Sequence, residues 1–219
     1  MHLIEVFDMS NNHVLFSELL RPTTIQELNL PPKTISFLDK MAKSKNIQNL
    51  LFHGKSGIGK TSAARILIDG MELRLMEING SSTRSDKQIL KDIETFASSV
   101  AFDGGYKVCF IEEADNLGKD AQASLRYVIE KTSQNTRFIF CANEIKQLTP
   151  AIQSRLMPIC FDVKPADRKA VVDRMITRYE AMLIALGYTI SPKRLREIVS
   201  IYFPDLRSVA NQIEFEVSA

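Results

Sequence analysis

The sequence predicts an α/β fold in which a five-stranded parallel sheet, flanked by helices, is followed by a small all-helical unit. Two observations support this prediction. Short apolar runs alternate with helical segments through residue 163, as in layered α/β folds. The runs are almost continuously apolar, which is typical of parallel strands covered on both faces. Only helical patterns follow, so we divide the chain into an α/β domain of residues 1–163 and a helical domain of residues 164–219.

The elements follow in order along the chain. Residues 1–30 are predicted to be irregular apart from a short strand at Leu3–Val6. The other strands are predicted at Asn49–His53, Leu73–Ile78, Lys107–Glu112, Arg137–Ala142 and Pro158–Val163. Helices are predicted at Lys33–Lys43, Lys60–Ile68, Ser85–Val100, Ala121–Lys131, Pro150–Ser154 (a short turn), Arg168–Leu186, Pro192–Tyr202 and Asp205–Phe215. Prolines before or at several helix starts support these positions, because proline suits a first helical turn.

Composition and charge exclude several classes of protein. The net charge of +2, from 28 basic and 26 acidic residues, indicates that any nucleic-acid contact is a local patch. There is no apolar run of about 18 residues and no basic N-terminal segment leading into an apolar stretch, so neither a membrane span nor a secretory signal is predicted. Cys109, Cys141 and Cys160 lie in apolar runs without metal-ligand spacing. We expect all three to be buried, in a reducing compartment.

The most specific motif is a phosphate-binding loop, G-x-x-x-x-G-K-[ST], between a predicted strand and a predicted helix. Its residues are Gly54, Lys55, Ser56, Gly57, Ile58, Gly59, Lys60 and Thr61, followed by Ser62 in the helix. Main-chain N–H groups of such a loop bind phosphate at a helix N-terminus. Lys60 is predicted to contact the β- and γ-phosphates, and the Thr61 hydroxyl to bind Mg²⁺. The alternative is a glycine-rich turn without a ligand.

Polar residues follow two later strands of the predicted sheet. Glu112 and Glu113 come after an apolar run, and Asn143 follows another. Ligands of open α/β sheets gather at the carboxyl ends of the strands, so we expect these side chains near the phosphates. Glu112 would contact Mg²⁺, Glu113 would orient or deprotonate the attacking water, and Asn143 would hydrogen-bond the γ-phosphate or that water. The alternatives are a solvated acidic loop and an ordinary asparagine turn.

The ordered set of motifs resembles that of the AAA+ ATPases and, within them, the clamp-loader ATPase subunits of DNA replication. The resemblance runs almost end to end. The matching segments are Arg21–Ile25 (K-Y-R-P-x-T), the loop 54–61, Met76–Ser81 (L-E-L-N-A-S), Glu112–Asp115 (D-E-A-D), Ala121–Arg126 (A-Q-x-A-L-R), Asn143 (sensor 1), Gln153–Arg155 (Ser-Arg-Cys) and Phe203–Arg207 (sensor 2). The spacing is most similar to clamp loaders of T4-type bacteriophages, and the chain is also similar to replication factor C small subunits.

This resemblance implies a P-loop AAA+ module with a helical lid, and ATP and Mg²⁺ as cofactors. Arg21 and Pro22 would line the adenine pocket. Arg207 would contact the γ-phosphate from the lid of the same chain. Arg155 would be an arginine finger that reaches the ATP of a neighbouring subunit. Gln122 would couple the nucleotide site to helices that face DNA. For both arginines the alternative is an ordinary solvated side chain.

The resemblance also implies three partners, namely other clamp-loader subunits, a sliding clamp and primer–template DNA. Backbone contacts with DNA are expected from the segment Ser82–Lys87 and the helix that follows it. The candidates are Arg84, Ser85, Lys87 and Lys91. The clamp would be met by residues 97–105 with Phe96, Val100 and Phe102, although these aromatic and aliphatic side chains are equally compatible with a core position. A solvated helix face is the alternative for the DNA candidates.

The sequence departs from the family pattern at four positions and in length. Glu112 stands where the family usually has Asp, so hydrolysis is expected to be slow or absent if the longer side chain displaces the water shell of the metal. Leu156 replaces a cysteine, and Leu19-Leu20 replaces Lys-Tyr beside the adenine pocket. The collar domain of the family is absent from these 219 residues, so we expect weak self-assembly. The expected location is the cytoplasm, that of the host cell if the protein is phage-encoded.

Two other functions stay open on the sequence alone. A helicase loader or initiator would use the same ATP site with a different partner, although the segments at Ala121–Arg126 and Gln153–Arg155 argue against it. A structural subunit that binds ATP without hydrolysis is suggested by Glu112. Turnover of the wild type compared with Glu112→Asp would separate the structural subunit from the ATPase.

Overall fold

The computed structural model describes residues 15–99 and 105–218. Its strands are β1 (Leu50–His53), β2 (Arg74–Asn79), β3 (Lys107–Glu112), β4 (Thr136–Ala142) and β5 (Met157–Cys160). Its α-helices are α1 (Phe16–Leu19), α2 (Pro32–Ser44), α3 (Lys60–Gly70), α4 (Asp86–Ser98), α5 (Lys119–Lys131), α6 (Pro150–Gln153), α7 (Pro165–Ala185), α8 (Pro192–Tyr202) and α9 (Leu206–Ser218). Short 3₁₀ turns lie at Ile25–Glu27, Ala114–Asn116 and Ile145–Gln147.

The five strands form one parallel sheet in the order β2-β3-β4-β1-β5, which confirms the predicted α/β class. β1 lies between β4 and β5, with His53 opposite both Ala142 and Cys160. The loop that leaves β1 therefore emerges between the ends of β4 and the edge strand β5. The carboxyl ends of β3, β4 and β5 lie at the same edge, because all the strands run in one direction.

Apolar side chains cover both faces of the sheet. Leu50 and Phe52 of β1 belong to a cluster with α2 and α3, whereas Leu51 belongs to a cluster with α4 and α5. This division follows from the two-residue period of a strand. A third cluster joins α1 to the helices α7, α8 and α9. The described part of the chain thus has a covered sheet and a helical C-terminal region with its own apolar contacts.

Local sequence explains where several helices begin. Proline occupies the first turn of α2, α6, α7 and α8, where its missing N–H has no helical partner to lose. Ser85 caps α4 by accepting from the main-chain N–H of Gln88 at 3.4 Å. Ser191 caps α8 in the same way, accepting from Arg194 at 3.2 Å. Most predicted boundaries lie within a few residues of those observed.

The structure differs from two of the expectations, and a third falls on residues that it does not describe. Residues 16–19 form a short helix instead of irregular chain, because Phe16 and Leu20 are buried against the C-terminal helices. The predicted strand Leu3–Val6 lies outside the described residues. The expectation that all three cysteines are buried is wrong for Cys160, which is exposed at the end of the edge strand β5.

The helices of the described residues include none that is both long and apolar enough to cross a membrane.

Candidate nucleotide-binding site

The loop between β1 and α3 has the backbone geometry of a phosphate-binding loop. Gly57 and Gly59 have φ angles of +74° and +99°, in the left-handed region that favours glycine. Gly59 directly precedes α3, a helix of 11 residues, so the positive end of that helix faces the loop. Main-chain N–H groups at a helix start form a site for an anionic phosphate.

Lys60 is the buried cation of the loop. Only 8% of its surface is exposed, and its Nζ donates to Gly54 O at 2.7 Å, Lys55 O at 2.9 Å and Asn143 Oδ1 at 2.8 Å. Burial lowers the pKa of Lys60 below its usual value of 10.5, and the positive charge of Arg207 acts in the same direction. The Asp115 carboxylate opposes this shift. The ammonium is therefore held at the centre of the loop by hydrogen bonds.

The polar residues at the strand ends are brought to the same place. Glu112 at the end of β3, Glu113 directly after it and Asn143 after β4 line one pocket with the loop. A residue missed by the sequence reasoning connects them. Asp115 Oδ2 accepts from the main-chain N–H groups of Asn143 at 3.0 Å and Glu144 at 2.9 Å, which fixes the end of β4 beside β3. The sequence contained a signal for this residue, because Asp115 is the last residue of the Glu-Glu-Ala-Asp segment.

The N-terminal segment forms another wall of the pocket. Arg21 and Pro22 line it, and Arg21 Nε donates to Ser62 Oγ at 3.1 Å. Leu20 lines the same wall. The two cofactor-binding candidates of this segment therefore lie beside the start of α3.

The lid helices form a further wall of the pocket, next to the N-terminal segment. Tyr179 of α7 and Leu206, Arg207 and Ala210 of α9 line the pocket. The Arg207 guanidinium makes no side-chain hydrogen bond with any described residue, and its charge acts on Lys60. Two cations from different parts of the chain thus face one pocket, next to apolar side chains that include Leu20 and Leu206.

The donor set fits a nucleotide with Mg²⁺. The Thr61 hydroxyl and the Glu112 carboxylate both line the pocket, and they supply hard oxygen ligands. Mg²⁺ usually takes one or two protein carboxylates or hydroxyls and completes its shell with water and phosphate oxygens. Within the described residues no cluster of three or more His, Cys, Asp or Glu side chains forms an all-protein metal site.

Arg155 lies outside this pocket. Its Nε donates to Glu130 Oε1 at 2.8 Å, its Nη1 donates to Ala151 O at 2.6 Å and Ser154 Oγ at 3.2 Å, and its Nη2 also contacts Glu130. The side chain is 26% exposed. The structure does not bring Arg155 together with the other site residues of its own chain.

Gln122 is a buried connector between three segments. Its Nε2 donates to Leu117 O at 2.9 Å and Gln147 O at 3.2 Å, and its Oε1 accepts from the Thr149 N–H at 2.7 Å. These contacts join the segment after β3, the segment after β4 and the start of α6. Gln122 does not line the pocket.

The DNA candidates surround the start of α4. Arg84 pairs with Asp92 at 3.2 Å, Ser85 caps the helix, and Lys87 and Lys91 are exposed. None of these four candidates lines the nucleotide pocket.

Phe96, one of the clamp candidates, lies near the opposite end of the same helix. Phe96 is half-buried, and the Lys107 ammonium lies 4.8 Å from the centre of its ring. Val100 and Phe102 lie outside the described residues.

The sequence reasoning also missed contacts made across long distances in the chain. Asp162, after β5, accepts from the main-chain N–H of Lys55 at 3.1 Å. Asp205, before α9, lies against Gly57. Neither residue belongs to a pattern that marks it as part of the loop, and each position becomes evident only when the sheet and the lid are assembled.

Comparison with known protein families shows which family of proteins the chain belongs to. Residues 50–162 match the model of the ATPase family associated with various cellular activities. The chain belongs to this AAA family of ATPases. The matched range runs from the start of β1 to just past β5 and so contains the whole sheet.

Relatives of known name agree with the motif resemblance. The chain is 33% identical over 212 residues to a replication factor C small subunit of Methanoculleus marisnigri, covering 94% of this chain and 64% of that protein. The small subunit of Saccharolobus solfataricus is 34% identical over 207 residues, covering 92% and 61%. The predicted resemblance to clamp-loader ATPase subunits is thereby confirmed. The chain spans less than two thirds of the length of these relatives.

A solved structure confirms the fold alone. The Holliday junction branch migration motor RuvB of Thermotoga maritima aligns over 90% of this chain and 73% of its own, with a TM-score of 0.63 at 18% identity. At that identity the likeness extends to the AAA fold and its helical C-terminal region.

Proposed function

We propose that this AAA ATPase hydrolyses ATP as one subunit of a complex that loads a sliding clamp onto primer–template DNA. One observation carries the proposal. Lys60, Glu112, Glu113, Asn143 and Arg207 line a single pocket or contact its loop, whereas Arg155 is directed elsewhere. A site arranged in this way is complete for binding and lacks one cation for hydrolysis. The names of the relatives supply the replication context.

In this proposal, ATP binds with its phosphates on the loop and its base between the N-terminal segment and the lid, which begins at residue 164. Thr61 and Glu112 would hold Mg²⁺ together with phosphate oxygens, and the ion would supply positive charge beside the γ-phosphate. Glu113 orients or deprotonates the attacking water. Asn143 and Arg207 contact the γ-phosphate.

Arg155 acts on the ATP of a neighbouring subunit. A planar guanidinium stabilises the spreading negative charge of the transferred phosphoryl group. Its ion pair with Glu130 is solvent-accessible, and such pairs contribute only about 0–1 kcal/mol. Arg155 can therefore leave Glu130 and bind a phosphate at little cost in free energy. Hydrolysis therefore depends on assembly with other subunits.

The start of α4 contributes DNA backbone contacts through Arg84, Ser85, Lys87 and Lys91, and the end of α4 faces the clamp. Gln122 transmits the state of the nucleotide site to these helices and to the helix before Arg155. The protein acts where DNA is replicated, in the cytoplasm of the host cell if it is phage-encoded.

The test is ATP turnover by the chain assembled with its companion subunits, measured with and without clamp and primed DNA. We expect the two together to stimulate turnover several-fold, and Glu113→Gln to abolish the stimulated rate while ATP still binds. A complex that responds to neither, and that instead recovers a replicative helicase in a pull-down, would reject clamp loading in favour of helicase loading. A chain that binds ATP in the complex but shows no turnover, even with clamp and primed DNA, would be a structural subunit.

A further inference from the structure

The first turn of α9 rests directly on the phosphate-binding loop. The main-chain N–H of Leu206 donates to Gly57 O at 3.0 Å. A Cβ atom added to Gly57 would lie 2.2 Å from Asp205 Oδ1 and 2.9 Å from its Cγ, closer than real Cβ atoms approach other atoms. The loop and the lid are therefore in van der Waals contact at Gly57, where only a residue without a side chain fits.

The Asp205 carboxylate holds that turn together. Its Oδ1 accepts from the main-chain N–H groups of Arg207 at 3.1 Å and Ser208 at 3.3 Å, and its Oδ2 accepts from Ser208 Oγ at 2.8 Å. This is the bonding of a helix N-cap, in which a side-chain oxygen satisfies the free N–H groups of the first turn. Both carboxylate oxygens are engaged by the helix, although Asp205 lies beside a loop that attracts anions.

Arg207 is the next residue after the one that bonds to the loop. A short main-chain path, from Gly57 O through Leu206, thus sets where the Arg207 Cα lies relative to the loop. The guanidinium faces the pocket that Lys60 also faces. A first turn that lost its cap would leave the starting point of the Arg207 side chain undetermined, even with the arginine itself intact.

We propose that Asp205 is a positioning residue that fixes the first turn of α9 on Gly57 and so directs Arg207 to the γ-phosphate. This inference rests on the proposed binding of ATP to the loop. It assigns to Asp205 a role in distinguishing ATP from ADP, beyond stabilising the lid. The effect is transmitted through Arg207, so the two residues act as one unit.

The test is the ratio of ADP to ATP dissociation constants, measured by calorimetry on the full chain for the wild type, Arg207→Ala, Asp205→Ala and the double variant. We expect Arg207→Ala to lower the preference for ATP about tenfold, the size of effect expected for a charge-assisted hydrogen bond. Asp205→Ala should lower it by a similar factor, and the double variant should be no worse than Arg207→Ala alone.

Two controls separate positioning from general stability. Ser191→Ala removes the N-cap of α8, a lid helix whose residues do not line the pocket, and should lower the melting temperature while leaving the ratio unchanged. Asp205→Asn keeps an acceptor oxygen and should recover part of the preference. It also carries the test if Asp205→Ala does not fold.

The outcomes are distinct. Wild-type ATP preference in both Asp205 variants, or losses that multiply in the double variant, would overturn the positioning role while leaving ATP binding intact. An unchanged ratio in Arg207→Ala would overturn it as well, because there would be no phosphate contact to direct. A wild type that binds neither nucleotide would overturn the proposed function itself, and this inference with it.

Discussion

The nucleotide pocket and the surface at Arg155, which we call the rim, each carry a cationic side chain, but the two side chains have different surroundings. Lys60 is buried and its three hydrogen-bond acceptors all belong to its own loop or to Asn143. Arg155 is partly exposed and pairs with Glu130 on the outer side of α5, away from the pocket. The pocket can hold an anion with residues of one chain. The Arg155 guanidinium at the rim does not line the pocket of its own chain. In the proposed function, ATP binding and hydrolysis therefore depend on different parts of the fold.

The prediction with the widest consequence tests the pocket side of this comparison, because a chain that does not bind ATP cannot hydrolyse it. Lys60→Ala removes a buried cation and leaves the acceptors Gly54 O, Lys55 O and Asn143 Oδ1 without their donor. We expect ATP affinity to fall roughly a hundredfold, because hydrogen bonds to charged groups contribute about 1.5–3 kcal/mol. Calorimetric titration checks this. Lys43→Ala, at an exposed lysine paired with Asp39, is the control and should bind as the wild type does. Undiminished affinity in Lys60→Ala would contradict the whole assignment of the loop.

The next prediction tests the role of Arg155 at the rim. Arg155→Ala should leave the ATP affinity of the isolated chain unchanged, because the side chain lies outside the pocket. In the assembled complex we expect turnover to fall about 10³-fold, the scale of an arginine finger. Steady-state ATPase assays measure it. Arg196→Ala, which breaks a surface pair with Asp173, serves as the matched variant and should keep the rate. Weakened binding in the isolated Arg155 variant would show that the two regions are not separate.

The smallest effect is a dependence on pH that belongs to the pocket alone. Burial lowers the pKa of Lys60 from 10.5, so the ammonium loses its proton at a lower pH than an exposed lysine does. Bound phosphate favours the charged form, so ATP affinity should decline as the pH rises through that lowered pKa. Lys60→Arg stays charged and should show a flatter profile, even if its affinity is lower throughout. Titrations from pH 7.5 to 10 compare the two slopes, and parallel slopes would contradict the assignment.

Sequence reasoning located most of this site because its parts are local. The loop of residues 54–61 is contiguous. Glu112 ends one strand and Asn143 follows another, and the parallel direction of these strands puts both residues at one edge of the sheet. What it could not locate depends on the assembly of distant segments. Asp162 meets Lys55 across 107 residues, and Asp205 reaches Gly57 through the lid. The exposure of Cys160 was missed for a related reason, since an apolar run does not reveal whether its strand lies at the edge of the sheet.

That edge position makes Cys160 a practical handle. Burial raises the pKa of Cys109 to about 12 and that of Cys141 also, so neither thiol forms the reactive thiolate near neutral pH. Cys160 is the one exposed thiol of the three, and it pairs in register with His53, the residue before Gly54. A maleimide dye should therefore attach at a single place in the native protein, without mutagenesis. Its fluorescence would report nucleotide arrival from a point next to the loop.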